Sequence, residues 1–430
     1  MLSGLVDKSL ALAESGADGA RYRLLETIRE YAIERLAGLS GGEAARERHR
    51  DWYLTLGQHA LSSYWWGRDL LAWLEQLERE RANFRSALRF SLERGEAEAG
   101  FRLAAGNWVL WGFRGPWREG RDWIERLLAL PDASGTFAAR ADALTVIGQL
   151  AFQQGDYAGA QAHLSEAVDL QRHVGDTRGL VMAVTHAGIA ARGRGRYAEA
   201  RTLHEEGVRL SRAAGNKSYE GVSLSALAHA AYLECDYERA NFLAEQGLAI
   251  LNAGERDGHS NVDTNIPLYV LGRVALCTED YALARLWLEE AVSLWRATGD
   301  MRSAPGALVG LSCVALAQGE KEEACQLLAE SLALSEEGSW RMATLYALEG
   351  AAILAAAKEQ PHRALRLAGA ASSLRSAWEY PLPPAEDAVL RRWLDPVRRV
   401  LGRDLCASTW LAGKNLSAVE ALECARAVVR

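Results

Sequence analysis

The sequence predicts an all-α chain built as a solenoid of stacked helical hairpins. Three observations predict it. A phrase returns about every 40 residues, apolar residues recur at helical spacing inside each copy, and only 9 of 430 residues are proline in a chain rich in Ala, Leu, Glu and Arg. The phrase reads Gly155-Asp156-Tyr157 with Ala160, then Gly195-Arg196-Tyr197 with Ala200, Cys235-Asp236-Tyr237 with Ala240, and Glu279-Asp280-Tyr281 with Ala284. Weaker copies are anchored at Ala324 and Ala364, and Gly115-Pro116-Trp117 with Gly120 fits the same register upstream. The anchors 120, 160, 200, 240, 284, 324 and 364 are 40 residues apart except for one step of 44. The extra length falls in the loop 254–265, where an insertion is tolerated.

Residues 1–37 read differently from the rest. Leu10–Ala13 and Ala20–Leu24 are expected as two short strands joined by a turn over 14–19. A helix follows, with Leu24, Leu25, Ile28, Tyr31, Ala32 and Leu36 at helical spacing, and stops at Gly38. A lone hairpin is marginal, so this stretch is expected to be the least stable part and the fastest in amide exchange. Residues 38–100 read as a helical linker. Its arginines, Arg46, Arg48 and Arg50 among them, alternate with carboxylates, which favours a solvated face over a phosphate contact. Tryptophans 52, 65, 66, 73, 108, 111, 117 and 123 crowd the linker and the first repeat. Trp108, Trp111 and Trp117 fall on apolar register positions, so core is preferred over an aromatic docking groove.

Residues 101–372 carry the repeats. In one copy Leu144, Ile147, Gly148 and Ala151 make a helical stripe, Gly155-Asp156 breaks it, and Tyr157, Ala160, Leu164, Ala167 and Leu170 make a second. One such hairpin cannot bury its apolar face alone and must stack on neighbours. Residues 373–430 leave the register at Pro381-Leu382-Pro383-Pro384. Helices over 385–402 and 417–428 are expected there, as a cap whose Arg391, Arg392, Arg398, Arg399 and Arg403 face solvent.

The hairpin pattern resembles the tetratricopeptide repeat at Leu144, Ile147, Gly148, Tyr157, Ala160, Leu164 and Ala167, although Leu144 stands where that motif has an aromatic and the unit is longer than usual. The hairpin feeding a helix in 1–37 looks like the end of a winged-helix unit. LVDKSL, YRLLETIREYAIERL and RHRDWYLTL, with Trp73–Glu78, Asn83–Leu88, Pro381–Glu386 and Trp410–Lys414, resemble bacterial AfsR-type and LuxR-type regulators with a signal-transducing (STAND, NB-ARC-like) ATPase. The resemblance implies an ATPase and a winged helix upstream of the repeats. This chain has no GxxxxGK[ST]; Gly215-Asn216-Lys217-Ser218 and Gly413-Lys414-Asn415 are only look-alikes. It is therefore expected to be the C-terminal half of such a regulator, without ATPase or DNA-binding parts.

No catalytic pattern is present, so no enzyme is expected. HExxH, GxSxG and a Rossmann fingerprint are absent, the 9 histidines lie singly, and the 6 cysteines form no CxxC pair. No metal and no cofactor are expected, and the cysteines read as small buried groups of a reduced, cytoplasmic chain. A net charge of −7 disfavours direct contact with nucleic acid or an anionic membrane. In the tetratricopeptide register the first helix of each repeat lines a concave groove. It offers Gln149, Arg192, His229, Tyr232, Tyr269 and Arg273. Aromatics beside arginine suit a protein or peptide partner, or a small-molecule inducer. Self-association is the other partner class an open array admits. The regulatory role competes with a free-standing scaffold or adaptor.

Overall fold

The computed structural model describes residues 2–16, 19–66, 70–135, 137–253, 262–299, 303–337 and 340–430. Most of the insertion expected at 254–265 lies outside the described residues. A short helix, Leu2–Asp7, precedes antiparallel strands Ala11–Gly16 and Gly19–Leu24 and a helix Glu26–Ala37. The strands run further than expected. Glu14, Ser15 and Gly16 pair with Arg21, Ala20 and Gly19 rather than forming a turn, because a two-residue connection suffices for a hairpin. Only Ala11 of this segment is buried among the described residues, and an Arg21–Glu80 ion pair of 3.1 Å ties it to the linker. The linker comprises Gly42–Trp65, Leu70–Arg79 and Arg81–Arg94.

Seven hairpins come next among the described residues: Ala97–Arg114 with Trp117–Leu128, Phe137–Gln153 with Tyr157–Val174, Thr177–Gly193 with Tyr197–Ala213, Lys217–Leu233 with Tyr237–Ala253, Asn265–Cys277 with Tyr281–Thr298, Ala304–Ala317 with Lys321–Glu337, and Arg341–Ala357 with Pro361–Ala377. The architecture is all-α, with a two-stranded sheet at one end. The recurring phrase has a physical meaning. Its first residue takes a left-handed backbone at Gly155, Gly195, Cys235, Glu279, Gly319 and Glu359. The next residue then donates its N–H to the carbonyl of Ala151, Ala191, Ala231, Ala275, Ala315 or Ala355, closing the first helix with one repeated cap. The anchor alanines 160, 200, 240, 284, 324 and 364 are each fully buried where the paired helices touch.

First helices form the inner layer and are apolar almost all round; second helices form the outer layer. The residue after an anchor reaches the turn of the next hairpin: Arg121 to Asp156 at 3.0 Å, Arg201 to Glu234 at 3.6 Å, and Arg285 to Glu323 at 2.8 Å. These ladders stitch the outer layer, each pair contributing little on its own.

The cap has three helices, Pro384–Leu401, Arg403–Lys414 and Ala418–Val429, one more than expected. Gly413 does not break the chain there. A Cβ on Gly413 would lie 2.0 Å from the Arg366 carbonyl oxygen, and one on Gly369 2.5 Å from that of Trp410, so the two glycines let helices Pro361–Ala377 and Arg403–Lys414 cross in backbone contact. The cap arginines lie at the surface, as expected, and three of them make ion pairs there: Arg391 with Asp387 at 2.6 Å, Arg398 with Asp395 at 2.7 Å, and Arg392 with Glu279 at 3.2 Å. Arg392 also donates to the Cys277 carbonyl at 3.1 Å, where an inner helix ends. Of the tryptophans in the linker and first repeat, Trp65, Trp108, Trp111 and Trp123 are buried, while Trp52 and Trp66 are exposed.

Candidate functional site

The array curls until its ends meet. Arg341 donates to the Gly155 carbonyl at 3.0 Å, Tyr380 stacks on Tyr157 with centroids 4.9 Å apart, and Arg194 pairs with Glu379 at 3.4 Å. Trp117 and Trp340 meet edge-on at 5.4 Å. This seam converts an open groove into a cavity of about 110 Å³ bounded by inner helices.

Gln149, Arg192, His229 and Tyr269 line that cavity, along with Phe152, Ile189 and Ser225, which share their register positions. Gln149 accepts a hydrogen bond from the Trp108 indole N–H. His186, also in the wall, is bonded through Nδ1 to the Met182 carbonyl at 2.8 Å. The Nδ1 of His229 is buried with no partner, and its ring meets Tyr269 edge-on at 5.5 Å. Burial, with Arg192 and Arg273 nearby, holds His229 well below the usual histidine range. Arg192 is half-buried, and burial lowers its pKa.

Tyr232 and Arg273 do not line the cavity. Arg273 Nε donates to the Tyr232 hydroxyl at 3.0 Å, the same hydroxyl donates to Glu386 Oε1 at 2.9 Å, and Arg273 Nη2 pairs with Glu386 Oε2. Both residues therefore dock the first cap helix. A register places a residue on the inner layer but does not say that a later segment will cover it.

Sequence reasoning missed the far wall: Met342, Tyr346, Tyr380 and Gly306, with Asp263 and Ser303. Extending the same register into Arg341–Ala357 gives Glu349, Ile353 and Ala356, none of which lines the cavity; Tyr346 and Met342 stand one and two turns earlier on that helix. Tyr380 sits in the proline-rich break and has no register position. The Tyr269 and Tyr346 hydroxyls are 3.4 Å apart across the cavity wall, and burial raises the pKa of Tyr269, Tyr346 and Tyr380. The wall thus gathers aromatic rings, two histidines and Asp263 around Arg192. Among the described residues no group of His, Cys, Asp and Glu is placed to hold a metal ion, and no helix is long and apolar enough to cross a membrane.

The tetratricopeptide repeat family model matches residues 141–173, the second hairpin. This is a tetratricopeptide-type solenoid. A Mycobacterium bovis protein provisionally named as an HTH-type transcriptional regulator is 34% identical over 197 residues, covering 44% of this chain and 22% of the relative. A Mycobacterium tuberculosis protein with the same provisional name matches equally. The chain spans 22% of the length of these relatives. Among solved structures, a Rap protein complexed with competence and sporulation factor is 12% identical over 85% of this chain and 99% of its own, at a TM-score of 0.52; the likeness is one of fold. A signal transduction ATPase with a tetratricopeptide repeat sensor from Pyrococcus horikoshii is 15% identical, with 92% and 60% covered, at a TM-score of 0.46.

Proposed function

We propose that this chain is the sensing repeat unit of a bacterial transcriptional regulator of the signal-transducing ATPase kind, and that a ligand or partner segment enters its central cavity. The observation that carries the proposal is the seam, which turns the concave face into a walled cavity with convergent polar groups. The partial match to HTH-type regulators supports the regulatory role, as do the sequence phrases shared with that family. The strands and helix of residues 1–37 would connect the unit to the output domains. The groove residues proposed are Gln149, Arg192, His229 and Tyr269, with Tyr232 and Arg273 holding the cap that closes it.

Val222 lines the cavity, and Val222→Trp would fill it. A thermal-shift screen of metabolites and short peptides on the wild type and this variant tests the proposal. Compounds that stabilise the wild type and lose that effect in the variant are expected; a screen with none overturns it.

A further inference from the structure

The two buried arginines near the cavity, Arg273 and Arg375, are matched, while the half-buried Arg192 is not. Arg273 is paired with Glu386, and Arg375 holds both oxygens of Glu349 at 2.6 and 2.9 Å. Among the described residues Arg192 is the only arginine or lysine in the cavity lining, and it makes neither a hydrogen bond nor an ion pair there. A half-buried guanidinium in a cavity wall with no protein counter-charge is partly desolvated, and a bound anion would offset that cost. The guanidinium stays protonated and offers a planar fork of N–H donors suited to a carboxylate.

The remaining groups define what else can enter. Tyr346 and Tyr380 stand closest in charge terms to Arg192, and both hydroxyls are held neutral by burial. Among the described lining residues Asp263 is the one carboxylate, and it is not without a partner. One positive charge without a protein counter-charge calls for one negative charge. Apolar wall is supplied by Phe152, Ile189 and Met342. The volume of about 110 Å³ is somewhat below that of an engineered apolar cavity of roughly 150 Å³ that admits benzene. A hydrocarbon body of about four to six carbons fits, and a peptide backbone with its side chains does not.

We infer that the cavity binds a small monocarboxylic acid with a short apolar body, its carboxylate clasped by Arg192 and its hydrocarbon against Phe152, Ile189 and Met342. The inference rests on the cavity being the ligand site proposed above.

Calorimetric titration of the whole chain with isovalerate, benzoate, their amides, succinate and a short peptide tests it. An acid should bind, and its amide should bind about ten- to a hundred-fold more weakly. Arg192→Gln should abolish that discrimination, and the ligand-free variant should melt no lower than wild type, since no partner is lost. Acids and amides binding alike, succinate or the peptide binding best, or no acid binding, each overturns the carboxylate class. An Arg192→Gln chain that melts lower yet binds acids normally overturns it too, by making Arg192 structural. If amides or the peptide bind wild type but not Val222→Trp, the cavity remains the ligand site while the acid falls. If nothing distinguishes wild type from Val222→Trp, both fall.

Discussion

His204 is fully buried with both ring nitrogens unpartnered, and its ring takes the space that a Cβ on Gly188 would need. Burial, then Arg192 and His186, lowers its pKa to about 3. The unfolded chain protonates this histidine below about 6.5, while the native chain does not until near 3. The unfolded state therefore binds more protons throughout that window, and stability falls as pH falls. The slope is about 1.4 kcal/mol per pH unit for one such group. His204→Leu should shrink the stability difference between pH 7.5 and 5.0 by about 2 kcal/mol in urea unfolding; an unchanged difference would contradict the assignment. The turns offer a second prediction. Glu279 and Cys235 hold φ near 65°, where glycine stands in three sister turns. Glu279→Gly should raise stability by about 1 kcal/mol, seen as a higher urea midpoint, because a side chain is strained there. The phrase Gly-Asp-Tyr was legible as a turn signal. That the same backbone persists where the glycine is lost could be read only from its spacing.

Helices were the most legible elements, because an anchor alanine every 40 residues fixes where paired helices touch and hence where each begins. The cap was less legible. Its middle helix, Arg403–Lys414, was not expected, and Gly413 within it serves as a crossing point with Gly369. The candidate site was half legible: the inner-helix register gave Gln149, Arg192, His229 and Tyr269, but Tyr380 comes from a segment with no period. Docking of the first cap helix depends on Glu386, which is 7% exposed and faces Arg273 and Tyr232. Glu386→Ala leaves Arg273 buried and unpaired, at a cost of about 3–5 kcal/mol. Hydrogen exchange should quicken first in Pro384–Leu401, and Arg273→Met with Glu386→Leu should recover most of the loss. Equal exchange in the single variant and wild type would show that the helix docks by apolar packing alone.

For the whole molecule, the seam changes the physics of the array. An open solenoid is held by nearest-neighbour contacts and unfolds piecewise. Here residues nearly 190 positions apart touch, as Arg341 and Gly155 do, and the core around Trp108 and Leu164 also takes in Leu345 and Tyr380 from the far end. Tyr380→Ser combined with Arg341→Ala should enlarge the radius of gyration in small-angle scattering while far-ultraviolet circular dichroism stays unchanged. A compact double variant would mean that the linker contact, Asn216 Nδ2 to the Trp65 carbonyl at 2.7 Å, suffices to hold the curl.

The cavity has walls on both sides of that seam, Arg192 on one and Tyr346 on the other. Anything lodged between them is a keystone, and its grip is bound to the ring's tension by thermodynamic reciprocity. If the lodged group tightens the ring by some factor, a pull that springs the ring must loosen the group by the same factor. Whatever draws Tyr380 away from Tyr157 would thus empty the cavity, and a filled cavity would resist that pull.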